Sequence, residues 1–439
     1  MNIATLYQSK LTTPEAAVSL IDSGSRISIG MAAAEPPALL AALADRAAAG
    51  KVEGVRAYYY ESTPLLNETI LRYELNDRIA PFSMFITSAE RALIKRGLED
   101  GRKVVSYVPS TFHQAPRLLS EHIDIDTLLM IVSPMDRHGY FSLGTGNDYS
   151  SRLARTARRV IVEVNENMPR VQGNGAQIHV SQVSAIVEHT APLFELPVRQ
   201  AAPEDETIGR SIAEMVPDGA CLQMGVGALP NFVCAQLSTR NDLGIHTEAL
   251  CPGMIDLIRS GVVNNRRKAL DTGKTVFTFA MGQKAMYEFI DENPAIYSQP
   301  VDYVNDPHII AQNDRVISVN ATLQVDLTGA CNSEHMLGHQ YSASGGQLDF
   351  VRGAYASKGG KSIIACRATA AKGQVSRIVP RLDGPVTTPR IDTHIVVTEY
   401  GWTDLKGKSS TERALNLIAI ADPRFRDGLL QAARDLHLV

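Results

Sequence analysis

The stretch Arg26-Ile-Ser-Ile-Gly30, followed by Pro37-Ala-Leu-Leu-Ala-Ala-Leu-Ala-Asp-Arg-Ala47, combines the two patterns that recur along this chain. The first is a short apolar run that ends in glycine, which is typical of a buried strand. The second begins with proline and is rich in alanine and leucine, which is typical of a helix. Together they predict a strand that leads through a loop into a helix.

The same alternation continues along the rest of the chain. Further strand patterns lie at residues 104–108, 128–132, 160–164, 275–279, 316–319, 362–365 and 394–398. Strands that alternate with helices form α/β folds with mainly parallel sheets. We therefore predict an α/β protein built on open, mainly parallel sheets.

The length of 439 residues exceeds what one hydrophobic core usually supports, so we expect two domains. A boundary is indicated at Phe194-Glu-Leu-Pro-Val-Arg-Gln-Ala-Ala-Pro-Glu-Asp-Glu206, where prolines and charged residues separate a strand pattern from a helix pattern at 207–216. The predicted domains are residues 1–200 and 201–439.

Composition narrows the class of protein. A net charge of −4 without a basic stripe argues against nucleic-acid binding. No apolar run of about 18 residues predicts a membrane span, and Met1 to Lys10 lacks the pattern of a secretory signal. We therefore expect a cytoplasmic protein that does not bind a membrane.

The cysteines give no sign of a disulfide framework or a zinc site. There are five of them, widely spaced and without a CxxC pair. We expect them to be small buried apolar residues. No cluster of metal ligands is visible, so we expect neither a metal nor a permanently bound cofactor.

Two short motifs indicate the chemistry. Leu243-Gly-Ile-His-Thr-Glu248 places a carboxylate at the exit of a predicted strand, and Ser344-Gly-Gly-Gln-Leu-Asp-Phe350 is a glycine-rich loop whose backbone N–H groups could face an oxyanion. A Gly-Gly pair alone is more often a simple turn. Combined with Glu248, the pair Gly345 and Gly346 favours acyl transfer through a glutamate.

His246 lies two residues before Glu248 and, on a strand, would face the same side. It either orients the carboxylate or is a structural histidine with satisfied hydrogen bonds. Sequence alone leaves both interpretations open.

The two halves of the chain echo each other. Strand patterns that end at Gly30 and Gly225 each lead to a proline and a helix, and each is followed by a strand pattern with a glutamate at its far end, Glu61 or Glu248. Duplication and the ordinary regularity of α/β proteins both explain this echo. If the halves are duplicates, Glu61 and Glu248 lie at equivalent carboxyl ends of two sheets, where open α/β folds bind ligands.

The chain resembles the acetyl-CoA hydrolase / 4-hydroxybutyrate CoA-transferase family, the class I glutamate-dependent CoA transferases. Besides the two motifs above, the resemblance rests on segments that occur in the family's order: Gln223-Met-Gly-Val-Gly-Ala-Leu-Pro230, Gln324-Val-Asp-Leu-Thr-Gly329, Lys358-Gly-Gly-Lys-Ser-Ile-Ile364 and Thr398-Glu-Tyr-Gly401. It implies two CoA-transferase domains of the NagB/RpiA-like type, with the active site at an interdomain cleft and the catalytic glutamate in the second domain.

The resemblance also implies roles for individual residues. Glu248 would be the nucleophile that forms a glutamyl-CoA thioester, and the backbone of Val226, Gly345 and Gly346 would stabilise the oxyanion. CoA, bound as a substrate, would contact the loop and its surroundings: Gly225, Val226, Gly227, Ala228, Leu229, Ser344, Gly345 and Lys372. The Gly225–Leu229 stretch is not a complete GxGxxG or P-loop motif, so a redox Rossmann domain is an outside alternative.

Met31 stands where the family usually has a small or polar residue, and with Glu61 it could narrow and polarise the acyl pocket. This resembles the itaconate/succinate-type members of the family. The implied function is transfer of CoA between an acyl-CoA and a small carboxylate of the 4-hydroxybutyrate, butyrate, succinate or itaconate class by a homodimer. The alternatives are an acyl-CoA hydrolase with the same nucleophile and a non-catalytic CoA-binding protein.

Overall fold

The computed structural model describes residues 2–439 as two compact units. The first contains the chain up to Leu196 together with the later segment Phe277–Tyr303. The second contains Pro197–Val276 and Val304–Val439. The sequence analysis placed one boundary near residue 200 and did not anticipate that residues 277–303 belong to the first unit.

The first unit is built on a seven-stranded sheet in which every neighbouring pair of strands is parallel. Apolar side chains of its central strands are fully buried because the sheet is covered on both faces. In spatial order the strands are Ser106–Tyr107, Ile79–Ser83, Val55–Tyr59, Arg26–Ile29, Thr127–Val132, Arg159–Val164 and Ala185–Glu188.

Buried polar side chains fix where helices of the first unit begin. Glu163, fully buried in its strand, accepts a hydrogen bond from the Leu39 N–H at 3.0 Å, at the start of helix Pro37–Ala48. Such bonds satisfy N–H groups that have no partner inside the helix. The other helices are Ile3–Lys10, Pro14–Val18, Pro64–Glu68, Ser88–Glu99, Ala115–Arg117, Ser150–Thr156 and Lys284–Ile290, and the short strands are Tyr140–Ser142, Gln177–His179 and Ile296–Ser298.

The second unit has its own mainly parallel sheet, and only its last pair of strands is antiparallel. The strands of this sheet that belong to the second unit are, in spatial order, Gly244–Leu250, Cys221–Met224, Val316–Ala321, Lys361–Ala365, Ile395–Thr398 and Gly401–Asp404. The prediction of an α/β fold with mainly parallel sheets is confirmed.

Seven helices of the second unit are Pro203–Glu214, Ala228–Gln236, Pro252–Arg259, Pro307–Ile310, Gln347–Ala356, Ser410–Ala419 and Pro423–Asp435. Its short strands are Gln324–Asp326, Cys331–Asn332, His335–Met336, His339–Gln340, Thr369–Ala370, Val375–Ser376 and Ile378–Val379. Strand Thr275–Ala280 and helix Val301–Val304 contain two of the points where the chain passes from one unit to the other.

The strand order explains the echo between the two halves of the sequence. In the first unit Arg26–Ile29 lies between Val55–Tyr59 and Thr127–Val132, and in the second unit Cys221–Met224 lies between Gly244–Leu250 and Val316–Ala321. In both sheets two further parallel strands follow outward from the last-named strand. Arg26–Ile29 thus corresponds to Cys221–Met224, and Val55–Tyr59 corresponds to Gly244–Leu250. The strands that precede Glu61 and carry Glu248 therefore hold the same place in the two sheets.

All five cysteines are buried and free. No helix within residues 2–439 is both long and apolar enough to cross a membrane. In the same part of the chain, no group of three or more His, Cys, Asp or Glu side chains is arranged to hold a metal ion.

Close helix packing in the second unit requires a glycine at position 353. A β-carbon there would lie 2.6 Å from both Cβ and Cγ2 of Ile310. We expect Gly353→Ala to lower the free energy of unfolding by about 1–3 kcal/mol, as overpacking does. Urea denaturation will measure the change.

Gly428 is the matched control, because it lies in helix Pro423–Asp435 and a β-carbon on it would meet nothing within 4 Å. We expect Gly428→Ala to raise the free energy of unfolding by up to about 1 kcal/mol, since alanine is the better helix former. Equal losses for the two variants would contradict the packing argument.

Candidate active site

Glu248 lies inside the strand Gly244–Leu250, not at its exit as predicted. Its neighbours Thr247 and Ala249 are buried, whereas Glu248 is partly exposed. Alternate residues of a strand point to opposite faces, and the parallel pairing with Cys221–Met224 keeps this strand extended. The carboxylate is thus held on a rigid element and remains accessible.

Two groups lie against the Glu248 carboxylate. The Nδ2 of Asn305 donates a hydrogen bond to Oε2 at 2.5 Å. On Gly346, a β-carbon would lie 1.8 Å from the same Oε2 and 2.1 Å from Asn305 Nδ2. Residue 346 must therefore be glycine, because any side chain would occupy the place of the carboxylate and the amide.

The glycine loop also brings a helix end to this site. Gly346 is the N-cap of helix Gln347–Ala356, so backbone N–H groups without partners inside the helix begin beside Glu248. Gly345 has a φ of 52°, a left-handed conformation that glycine adopts without strain. The two glycines are thus favoured for different reasons. Gly345 adopts a left-handed backbone conformation, and Gly346 lies against Glu248, where a side chain would not fit.

His246 lies on the same strand and is only 1% exposed. Its Nε2 is 2.8 Å from the carbonyl oxygen of Val304. Burial and the nearby positive charge of Lys268 lower the pKa of His246 to about 3, although the bond to Val304 acts in the opposite direction. The imidazole is therefore neutral near pH 7 and donates through Nε2.

A cleft of about 930 Å³ opens within the second unit. Its lining includes the whole Gly225–Leu229 loop and Lys372, which the sequence analysis assigned to CoA. Within the described chain, its lining does not include Ser344 or Gly345. The predicted CoA contacts are thus divided between this cleft and the loop beside Glu248.

The Gly225–Leu229 loop is shaped for close approach of a ligand. It runs from the end of strand Cys221–Met224 into the first turn of helix Ala228–Gln236, and Gly227 is the N-cap with a φ of 137°. A β-carbon on Gly225 or Gly227 would meet nothing within 4 Å, so there is open space beside both residues. Backbone N–H groups at such a helix start favour anionic groups.

Positive side chains line the same cleft. Arg367 and Arg424 are paired with Asp205 at 2.6 Å and Asp422 at 2.8 Å. Lys372 is exposed, and no carboxylate of residues 2–439 lies within salt-bridge distance of it. Its φ of 56° follows one of 49° at Ala371, and both residues lie in the turn between the antiparallel strands Thr369–Ala370 and Val375–Ser376, where positive φ values are common.

The predicted pocket residues Met31 and Glu61 belong to the first unit. Met31 is 2% exposed and precedes a turn in which Ala32 has a φ of 52°. Glu61 follows the end of strand Val55–Tyr59 and has a φ of 37°. Both lie at positions where a strand has just ended, which is where open α/β sheets bind ligands.

Glu61 is partly exposed and lies near two buried acids, Glu35 and Glu90, that the sequence analysis missed. Burial and the charge of Glu90 raise the pKa of Glu61 to about 7, against a smaller effect of Arg91. Glu35 accepts a hydrogen bond from the Thr63 N–H at 2.9 Å, and burial raises its pKa well above the usual range. A carboxyl group with a pKa near 7 is about half protonated at pH 7.

Asn305 is the main residue of the Glu248 site that sequence reasoning missed. It is fully buried and directly precedes Asp306, the N-cap of helix Pro307–Ile310. The local sequence Asn-Asp-Pro is typical of a helix start and carries no sign of a catalytic contact. Only the fold brings it to Glu248.

Two sequence models of known domains match the chain: the acetyl-CoA hydrolase/transferase N-terminal domain at residues 1–195, and the C-terminal domain of the same family at residues 282–433. The chain belongs to the acetyl-CoA hydrolase/transferase family. The predicted family is therefore confirmed, and each compact unit contains most of one of the matched regions.

Several relatives of this acetyl-CoA hydrolase/transferase family member align with nearly its whole length. Succinyl-CoA:cyclohexane-1-carboxylate CoA transferase of Geobacter metallireducens is 42% identical over 99% of this chain and 97% of that protein. The 4-hydroxybutyrate coenzyme A transferase of Clostridium kluyveri is 41% identical over 97% of each. The crystal structure of RipA from Yersinia pestis is 70% identical and covers 100% of both chains, with a TM-score of 0.98. The prediction of an enzyme of the CoA-transferase class is confirmed.

The contact at Gly346 gives a direct test of the site. We expect Gly346→Ala to lower the turnover number by at least about a hundredfold, because a shift of about 1 Å in a reacting group has an effect of that size. Steady-state transfer assays will measure it, with circular dichroism to verify folding. Gly428→Ala should keep wild-type activity, and a Gly346→Ala rate within about threefold of wild type would contradict this geometry.

Proposed function

We propose that this protein transfers CoA between an acyl-CoA and a small carboxylate through a covalent thioester on Glu248. The observation that carries the proposal is the contact of the Glu248 carboxylate with the Asn305 amide and the glycine at the start of helix Gln347–Ala356. Binding of CoA alone would require neither a partly exposed carboxylate nor its close steric fit to Gly346.

The reaction begins with attack of a Glu248 oxygen on the acyl-CoA carbonyl carbon. The carbon–sulfur bond breaks, the CoA thiolate leaves, and a mixed anhydride forms. The thiolate then attacks the Glu248 carbonyl carbon and releases the original acyl group as a carboxylate. A second carboxylate reverses these steps and leaves as the new acyl-CoA, so the reaction needs no net proton transfer.

Each addition step creates an oxyanion that the site must stabilise. The backbone N–H groups of Gly345, Gly346 and Val226 are the proposed donors, and the Asn305 amide is a further one. Support comes from the position of Gly346 at a helix N-terminus, where free N–H groups and the helix dipole favour negative charge. Fixed donors of this kind usually make the largest contribution to acyl transfer.

The cleft of the second unit is the proposed site of the CoA chain and its phosphates. The Gly225–Leu229 backbone would bind polar groups of CoA, and Lys372 would meet a phosphate. The open space at Gly225 and Gly227 and the absence of an acidic partner for Lys372 among the described residues support this assignment. Ser344 and Gly345 would contact the part of CoA nearest the thioester.

Met31 and Glu61 are the proposed determinants of the acyl group. Met31 is buried, and its long side chain would restrict the acyl pocket to short acyl groups. Glu61 would make the same pocket more polar. Glu61 would repel the distal carboxylate of succinate or itaconate when ionised, but its raised pKa allows it to donate a hydrogen bond when protonated. A short dicarboxylate or hydroxyacid is therefore the proposed class of substrate.

Two finer points complete the proposal. The assembly is a homodimer, as the family resemblance implies.

An acyl-CoA hydrolase is the second candidate, because the family includes hydrolases and water could replace the second carboxylate at Glu248. The two reactions share the nucleophile and differ only in the acceptor.

Intact-protein mass spectrometry after mixing with succinyl-CoA will test the nucleophile. We expect a mass increase of one CoA less one water, which peptide mapping after borohydride reduction places on Glu248. Glu248→Ala should show neither the adduct nor turnover, because the Asn305 amide and Gly346 are fitted to the Glu248 carboxylate. Glu214→Ala, which removes an exposed glutamate of the same unit, should behave as wild type.

The fate of the adduct separates the candidate reactions. Loss of the adduct on adding a carboxylate, with formation of a new acyl-CoA, establishes transfer. Decay in buffer to free CoA, unchanged by any carboxylate, would support the hydrolase instead. Retained turnover of Glu248→Ala would show that Glu248 is not the nucleophile.

The raised pKa of Glu61 predicts a pH effect on the choice of acceptor. Below about pH 7 the carboxyl group is neutral, and above it the group is ionised and repels a distal carboxylate. We therefore expect the KM for succinate to rise between pH 6 and 8, while the KM for butyrate stays nearly constant. Glu61→Gln should abolish this difference, and a pH dependence shared by both acceptors would contradict the assignment.

A further inference from the structure

The same strand face carries His246 and Glu248, because residues two apart on a strand point to the same side. The Nε2 of His246 is 2.8 Å from the Val304 carbonyl oxygen. A carbonyl oxygen can only accept, so the hydrogen of this bond lies on Nε2. The imidazole therefore has one defined tautomer.

Val304 directly precedes Asn305, whose Nδ2 donates to Glu248 Oε2 at 2.5 Å. One strand thus contacts a single dipeptide at two points, through His246 to the Val304 carbonyl and through Glu248 to the Asn305 side chain. Because the two residues share a peptide bond, a shift of the Val304 carbonyl also moves the Asn305 amide.

The His246 ring also contacts the element on the other side of Glu248. Its centroid lies 6.4 Å from that of Phe350, with 59° between the ring planes. Phe350 is fully buried in helix Gln347–Ala356, whose N-cap is Gly346. One side chain therefore packs against both elements that meet the Glu248 carboxylate.

A neutral imidazole suits this place. Lys268 is buried nearby and donates through Nζ to the carbonyl oxygens of Ile245 at 2.9 Å and Lys274 at 2.8 Å. Its charge and the burial of the ring disfavour the imidazolium form of His246. A general acid or base works best when its pKa lies near the working pH, so a pKa lowered to about 3 argues against that role for His246.

We propose that His246 is a positioning residue for the transfer reaction: by holding the Val304 carbonyl it keeps the Asn305 amide on Glu248. This inference rests on the proposed function. Glu248 passes through anhydride and thioester stages, and the amide must stay in place while an oxyanion forms at the glutamyl carbon. Loss of the His246 bond should therefore affect the turnover number rather than binding of acyl-CoA.

Two substitutions separate hydrogen bonding from space filling. His246→Gln retains an N–H donor at a similar reach, whereas His246→Met fills the space without a donor. We expect the kcat of His246→Met to fall by about tenfold to a hundredfold, with the KM for succinyl-CoA within about twofold of wild type. His246→Gln should recover to within about threefold of the wild-type kcat, and thermal unfolding will verify that both variants fold.

A double-mutant cycle with Asn305→Ala tests whether His246 acts through Asn305. If it does, adding His246→Met to Asn305→Ala should lower kcat by less than about twofold further, because the group that it positions is already gone. Fully additive losses would overturn the inference, and so would a wild-type kcat in folded His246→Met or a loss that His246→Gln does not recover. A wild-type protein that transfers no CoA would overturn the proposed function and this inference with it.

Discussion

The close approach of Gly346 and Asn305 to the Glu248 carboxylate is the constraint on which the second unit's site depends. The backbone of residue 346 can lie this near the carboxylate only because glycine has no β-carbon. The site therefore requires that Gly346, at the start of helix Gln347–Ala356, meets the strand that carries Glu248. The sheet fixes Glu248, the packing of Gly353 against Ile310 fixes helix Gln347–Ala356, and the segment before helix Pro307–Ile310 supplies the amide. Stability and chemistry thus depend on the same few contacts.

The repeated strand order explains why acidic residues occur at related places in both units. Parallel sheets collect the carboxyl ends of their strands along one edge, and this is where loops are free to vary without disturbing the core. In the first unit this edge carries Glu61 near the buried acids Glu35 and Glu90, and burial raises the pKa of both Glu35 and Glu61. In the second unit the corresponding strand carries the partly exposed carboxylate of Glu248, and the same unit contains a cleft with positive side chains.

Much of the fold could be predicted from local pattern. The strands expected at 128–132 and 160–164 occur as Thr127–Val132 and Arg159–Val164, because continuous apolar runs are typical of strands covered on both faces. Predictions were less accurate where local signals compete. The strand expected at 104–108 forms only at Ser106–Tyr107, and the helix expected from 207 begins at Pro203, since proline favours the first helical turn. The Asn305 contact and the support from His246 arise from tertiary proximity, which no spacing in the sequence reveals.

The return of residues 277–303 to the first unit affects how the chain folds during synthesis. A ribosome releases most of the first unit early, yet its last segment emerges only after residues 197–276 of the other unit have been made. The first unit therefore waits, incomplete, while the second begins to form. For the same reason, a gene cut near codon 200 would yield an N-terminal fragment that lacks residues 277–303, a segment of the first unit in the whole protein.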